Sequence, residues 1–301
     1  MTVLPDLPPA GGAPGPAPDA TPGTSRARRL RPSPGTVVAG LVVATLAVAA
    51  VAPGLLAPGD PLAVSPVDAF SPPSPAHPFG TDESGRGLWT RVVHGAGASL
   101  LIGVVATVLG TGLGVLLGVA AGVGRGRAGR VADAGVSRLV EVLFALPGLL
   151  LALVVIAFTG PGALPTTIAV GLATAPGYAR IVRTQVLRVR SSAMVEAAVV
   201  LGRSPGRVLV RHVLPNALAP VAVLATLGVG QAVVWASSLS YLGLGSPPPA
   251  PEWGAMLSAG RTYLGVAWWM TVFPGLAVVA TAASTTVLGR ALTRRRREVV
   301  R

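Results

Sequence analysis

Residues 36–57 contain no charged side chain, and about 22 residues at roughly 1.5 Å each are enough to cross the hydrocarbon core of a bilayer. Comparable apolar runs recur at about 96–123, 139–158, 166–181, 217–242 and 266–288. In hydrocarbon every backbone N–H and C=O must be paired within the protein, so isolated runs of this length fold as helices. The expected fold class is an all-α integral membrane protein with six transmembrane helices. Composition agrees. Only 12% of the 301 residues are charged and 51% are hydrophobic, whereas soluble domains carry about 25% charged residues. So few charges would not cover the surface of a soluble protein.

The charges that remain exclude several functions. The net charge is +13, but aromatics make up only 4% of the chain and no basic run is interleaved with them. That pattern argues against nucleic acid as a partner and for membrane lipid. All 24 basic residues are Arg, so the Lys of a phosphate-binding P-loop is missing. The chain has no Cys, and therefore no thiolate metal site or disulfide framework. His77, His94 and His212 are read as loop residues on opposite sides and form no metal-ligand spacing. No nucleophile elbow, carboxylate pair or metalloprotease motif occurs. No catalytic residue and no cofactor is expected on this chain. Glu141 is the carboxylate nearest a span, and it is expected to pair with Arg138 one turn away. The chain thus has spans for a pathway but no visible engine. Either energy is delivered by another polypeptide, or the chain is a self-sufficient secondary transporter or channel.

Of the 24 Arg, 21 lie on the two termini and on two of the loops; the opposite loops hold Arg86, Arg91 and Arg261. The positive-inside rule puts both termini and both Arg-rich loops in the cytoplasm. Four regions follow: a disordered basic cytoplasmic tail at 1–35, a first helix and external loop at 36–95, a membrane domain at 96–291 with a cytoplasmic loop at 188–216, and a basic cytoplasmic tail at 292–301. The first span is read as an uncleaved anchor, with cleavage after Ala47-Val48-Ala49 as the alternative. Gly110, Gly114 and Gly118 recur every four residues and mark a tight helix–helix face. Residues 159–165 read as a tight turn. Pro176-Gly177 predicts a kink or local unwinding in the fourth span, and Trp268 and Trp269 suit an interfacial belt.

The cytoplasmic stretch 196–216 reads as a short helix, a break and a second short helix. Gly202 is a natural stop. Ser204 and Pro205 form a helix start, as N-cap and first helical residue. Leu214-Pro215 is expected to end the second helix. Ala198 and Gly202, four apart, would form a bare patch for close approach by another protein, with Leu201, Val208 and Leu209 adding apolar contacts. Physics alone leaves two readings open: a docking site, or an amphipathic helix lying on lipid.

Glu196, Ala197, Ala198, Gly202, Leu214 and Pro215 fit the spacing of the EAA loop of ABC importer permeases, with His212 departing from the usual apolar position. Residues 212–216, His-Val-Leu-Pro-Asn, resemble the peptide-importer branch and include Asn216. Gly80, Thr81, Asp82, Gly85 and Arg86 resemble the Gly-Thr-Asp-x-x-Gly-Arg signature of dipeptide, oligopeptide and nickel permeases. Residues 240–245 and Glu252-Trp253-Gly254 resemble their last external loop. The likeness covers roughly 36–290 and is closest to the C-type subunit of the permease pair. It implies a five-helix, MetI-like core preceded by one added N-terminal helix. It also implies a second homologous permease subunit, two cytoplasmic ATPase subunits that hold the ATP and Mg, and an external solute-binding protein docked on the loops at 58–95 and 244–265. The loop at 188–216 would then be a coupling helix seated on the ATPase. Glu196 would cap or anchor it against Arg side chains, and Gly202 would allow close packing and a sharp turn. Peptides or nickel-type small solutes are the implied cargo.

Overall fold

The computed structural model describes residues 33–124 and 126–299. The expected tail at 1–35 therefore lies almost wholly outside the described residues. Helix α1 (Pro34–Val51) begins at Ser33, whose hydroxyl accepts from the Thr36 N–H, with Pro34 in the first turn where its missing N–H costs nothing. A single turn, α2 (Pro53–Leu56), leads into the long loop before α3 (Leu88–Val123). Then come α4 (Gly126–Phe144), α5 (Gly148–Thr159) and α6 (Ala163–Arg190). The short helices α7 (Ala193–Val200) and α8 (Pro205–Val208) precede α9 (Leu214–Tyr241). Finally α10 (Trp253–Gly260) and α11 (Trp269–Val299) close the chain. Among the described residues there is no strand, only an isolated antiparallel bridge between Thr81 and Gly87.

The bundle is organised around α3. Its most extensive partner is α6, and α9, α1 and α4 also pack on it. The glycine stripe expected to make a tight face does so. A Cβ at Gly118 would lie 2.6 Å from the Ala179 carbonyl oxygen, and one at Gly122 2.7 Å from the Val186 side chain. At Gly110 and Gly114 it would overlap Thr174 and Tyr178. Without a hydrophobic drive between helices in lipid, this close approach and the dispersion contacts it allows are what hold the pair.

Among the described residues four helical segments are long and apolar enough to cross a membrane: α1, α3, the path Pro205–Tyr241 that contains α9, and Trp269–Arg294 of α11. A fifth is obtained if α4 and α5 are one span, bent by 93°. Length and composition thus support four or five of the six expected spans. The remaining one, α6, has 28 residues but carries Pro176, several Thr and Arg180 in its length. It is packed by α3, α9, α5 and α4, so protein replaces lipid along much of its surface and a high hydropathy is not required.

Three local expectations are corrected. The third span is not straight: the chain breaks at 145–147, because Pro147 has no N–H and its ring excludes a helical residue before it. Gly148 then lies directly against the Trp235 indole, where a Cβ would overlap the ring. Pro176-Gly177 does not unwind α6, which continues through both residues. Trp269 is 6% exposed and packs inward, while Trp268 is half exposed. The turn expected at 159–165 is confined to 160–162, with Gly160 and Gly162 both at positive φ, because α6 already begins at Ala163. Arg138 and Glu141 pair as expected, at 3.4 Å on an exposed face.

Candidate functional site

Two constellations stand out, one in the Arg-rich segment before α9 and one in the loop before α3. The first is the arginine-rich segment 193–216. Helix α7 ends in a Schellman turn: Gly202 N–H donates to the Val199 carbonyl at 2.9 Å and Arg203 N–H to the Ala198 carbonyl at 3.2 Å. This closure needs a left-handed residue at the position of Gly202, whose φ is +71°. Ser204 has the extended geometry of an N-cap and Pro205 occupies the first helical position, but the Ser204 side chain makes no capping bond.

The expected break at Leu214-Pro215 is absent. A π-helical turn, Leu209–Val213, joins α8 to α9, and Pro215 sits in the first turn of α9. The wider turn absorbs the hydrogen bond that Pro215 cannot donate, and the Asn216 side-chain amide donates to the His212 carbonyl at 2.7 Å. Arg203 donates to His212 Nε2 at 2.9 Å, so the residue that departs from the usual apolar position is tied back to the turn.

The segment has one locked face and one open face. Val195, Ala198, Val208 and Val213 are buried with Val182 and Val186 of α6 and Ala217 of α9. Ala198 therefore does not join Gly202 in a bare exposed patch, as the spacing predicted, and Val208 is likewise internal. The open face is the tip: Val200 is 86% exposed and Leu201 74%, with Met194 and Val199 beside them. Ala197 and Glu196 are also exposed. Among the described residues Glu196 has no ion-pair or side-chain hydrogen-bond partner, so no described Arg anchors it there. Two arginines fasten the base. Arg190 donates to the Gly122 and Gly124 carbonyls at the C-terminus of α3, where a cation also suits the helix dipole. Arg183 grips Asp133 of α4 with two bonds, at 2.5 and 2.9 Å.

The second constellation is formed by the signature Gly80, Thr81, Asp82, Gly85 and Arg86, which the fold brings into one buried turn. Asp82 Oδ1 accepts from the Ser84 and Arg86 N–H groups at 2.8 and 2.9 Å. Gly85, at φ +75°, lies where any Cβ would overlap the Ser65 carbonyl. Thr81, fully buried, accepts from Ser71 N–H and donates to the Asp68 carbonyl through its hydroxyl. Phe79 stacks on Phe273 of α11 at 3.9 Å between ring centroids.

Sequence reasoning missed three residues here. Arg91, 6% exposed, lies 3.6 Å from Asp82 and reaches the Pro61 carbonyl of the same loop and the Pro249 carbonyl of the loop between α9 and α10. It could have been found as the one charge at the entrance of an otherwise apolar span. Trp269 donates its indole N–H to the Thr81 carbonyl at 2.9 Å. Ser99 accepts from the Trp253 N–H at 3.1 Å. His94, expected in a loop, is inside α3 with its ring bonded to the Thr90 carbonyl.

Glu252, of the Glu-Trp-Gly motif, is 1% exposed and caps α10: its two carboxylate oxygens accept from Gly254 and Ala255 N–H at 2.8 and 2.9 Å. Glu252→Ala strands both donors, and a loss of about 2–4 kcal/mol is expected. Glu252→Gln, which keeps one acceptor, should lose roughly half of that. Thermal unfolding of the detergent-solubilised protein, followed by size-exclusion recovery, measures the difference. Equal stability of Glu252→Ala and the parent would show that the cap is dispensable.

Among the described residues no group of three His, Cys, Asp or Glu is arranged to hold a metal. The geometry offers contact surfaces rather than reactive groups, and comparison with known proteins agrees. The family described as the binding-protein-dependent transport system inner membrane component matches residues 114–298. The dipeptide transport system permease protein DppC of Alkalihalophilus pseudofirmus is 37% identical over 228 residues, covering 76% of this chain and 74% of that protein. The probable D,D-dipeptide transport system permease protein DdpC of Escherichia coli is 36% identical over 260 residues and 86% of each chain. The glutathione transport system permease protein GsiD of Shigella flexneri is 43% identical over 220 residues, 73% of this chain and 71% of that one. Chains of the MetNI methionine ABC transporter in inward-facing conformations share the fold, with a TM-score of 0.55 at 21% identity over 68% of this chain and 95% of that one. The chain belongs to the binding-protein-dependent transport system inner membrane component family: it is a multi-pass permease subunit of an ABC importer, not itself an enzyme, and works with ATPase and substrate-binding partners.

Proposed function

We propose that this permease carries peptides, or small solutes of similar size, inward across the cytoplasmic membrane. In this reading it pairs with a second related permease subunit and with two cytoplasmic ATPase subunits, which bind the ATP and Mg. The segment 193–216 is the coupling element, and both termini face the cytoplasm. The names of the relatives support the peptide class, and the asymmetric placement of Arg supports the orientation.

One observation carries the coupling role. The segment buries Val195, Ala198, Val208 and Val213 in its own bundle and turns Val200 and Leu201 outward. A rigidly based, apolar tip is what a protein groove can grip. The exposed Glu196, without a partner among the described residues, is then free to meet an Arg of the ATPase. Closure of the ATPase pair on ATP would move the tip, and the helices continuous with it, between two arrangements.

The chain has no Cys, so Leu201→Cys provides a single label site. An impermeant maleimide should modify it in inside-out vesicles and not in intact cells, and bound ATPase should protect it. Modification from the outside of intact cells would overturn the orientation. The purified chain alone in liposomes should move no solute, and transport without ATPase would overturn the assignment of the engine to a partner.

A further inference from the structure

We infer that Arg91 is a positioning residue that clasps the two outer loops of the permease into one rigid docking platform for the solute-binding protein. This rests on the proposed orientation, which puts the loops at 58–87 and 243–268 outside.

Arg91 lies one turn into α3, and its guanidinium reaches three separate pieces of chain. Nε faces Asp82 Oδ2 at 3.6 Å. Nη1 donates to the Pro61 carbonyl at 3.4 Å and Nη2 to the Pro249 carbonyl at 3.2 Å. Pro61 and Asp82 belong to the loop between α2 and α3, and Pro249 to the loop between α9 and α10. A planar fork with several fixed donors can hold such divergent acceptors together, whereas the point charge of Lys cannot. The side chain is 8% exposed, so water does not compete for these bonds.

Among the described residues no other polar bond of this kind joins the two loops. The first loop is fixed to the bundle by the Thr81–Trp269 bond and by Phe79 on Phe273. The second is fixed by Glu252 at the start of α10 and by the Trp253 indole, which donates to the Val92 carbonyl. Between the loops themselves, Phe70 of the first packs on Tyr263 of the second with ring centroids 5.0 Å apart, and Arg91 adds the polar tie that joins them. Both loops present exposed apolar groups, among them Val64 and Val67 of the first and Val266 of the second. A protein partner that contacts both loops meets a preorganised surface only if the two keep one relative position. If they move independently, docking must order them first.

The test uses the assembled transporter with its own binding protein. Val67→Cys and Pro247→Cys, both at exposed positions, carry spin labels on the otherwise Cys-free chain. The parent should give one narrow distance distribution by pulsed electron paramagnetic resonance. Arg91→Gln should broaden it. The concentration of binding protein that half-saturates ATPase stimulation should rise roughly tenfold, since loop ordering is then drawn from the docking free energy, with the maximal rate little changed. If Arg91→Gln fails to assemble, Arg91→Lys is read instead; it keeps the charge beside Asp82 but loses the fork, and broadening is again expected. An unchanged distribution in the assembled variant overturns the clasp. A broadened distribution with unchanged half-saturation overturns the docking role of these loops, and with it that part of the proposed assembly, while leaving the clasp in place.

Discussion

Gly114→Leu is expected to abolish accumulation of the folded permease. A Cβ at this position already meets the Ala179 nitrogen at 2.9 Å and the Ala175 carbonyl oxygen at 3.0 Å, and overlaps the Tyr178 side chain. Two of the three are backbone atoms of α6, which cannot rotate away as a side-chain end could. The helices must separate along the most extensive contact in the bundle. Overpacking of this kind costs about 3 kcal/mol or more, a large part of a typical domain's net stability. Gly112→Leu is the control. It lies two residues away on the exposed side of the same helix, where a Cβ meets nothing within 4 Å. Membrane yield and monodispersity after solubilisation should collapse for the first and stay near the parent for the second. Equal behaviour of the two variants would falsify the assignment of the glycine stripe to the α3–α6 contact.

The second large effect is on transport rather than folding. Gly202→Val should abolish uptake while the protein inserts and assembles normally. Space is not the obstacle within this chain, since nothing lies within 4 Å of a Cβ built there. The obstacle is conformation: a left-handed backbone costs an L-residue about 1–2 kcal/mol and a β-branched one more, and the turn that aims the Val200–Leu201 tip would reopen. Asn tolerates the left-handed region, so Gly202→Asn separates two roles of this glycine. Retained uptake in Gly202→Asn points to turn geometry. Loss of uptake in both variants points to close approach by the ATPase, which any side chain would block. Uptake by Gly202→Val at the parent rate would remove the coupling role altogether. The assay is ATP-dependent solute accumulation in vesicles, normalised to assembled complex.

Much of this was legible in the residues, and the failures have physical causes. Long uncharged runs fix helices because hydrocarbon leaves the backbone no other partner, and glycines every four residues mark close contact whatever lies opposite. The elbow at 145–147 was hidden because the hydropathy of 139–158 is continuous and Pro is tolerated within membrane helices. Only the contact between Gly148 and Trp235, remote in sequence, shows how the bend is supported. Pro215 misled in the other direction. Leu214-Pro215 predicts a helix end, yet a π turn just before it carries the helix through. Ala198 was assigned to a surface from spacing alone, and periodicity does not say which face of a short helix its own bundle will claim. The signature at 80–86 was recognisable as a pattern, but its chemistry was not: Asp82 builds a turn and Arg91 ties it to a loop more than 150 positions away.

The length of α3 has a mechanical consequence. Its 36 residues extend about 54 Å at 1.5 Å each, well beyond a hydrocarbon core of about 30 Å. It is gripped near one end by Arg91 and at the other by Arg190, and close-packed in between. Such a beam pivots more readily than it bends. In the proposed coupling, a displacement of the Arg190 end would be carried along the stiff length of α3 to the Arg91 end, so that thrust on one side of the bilayer would be felt on the other.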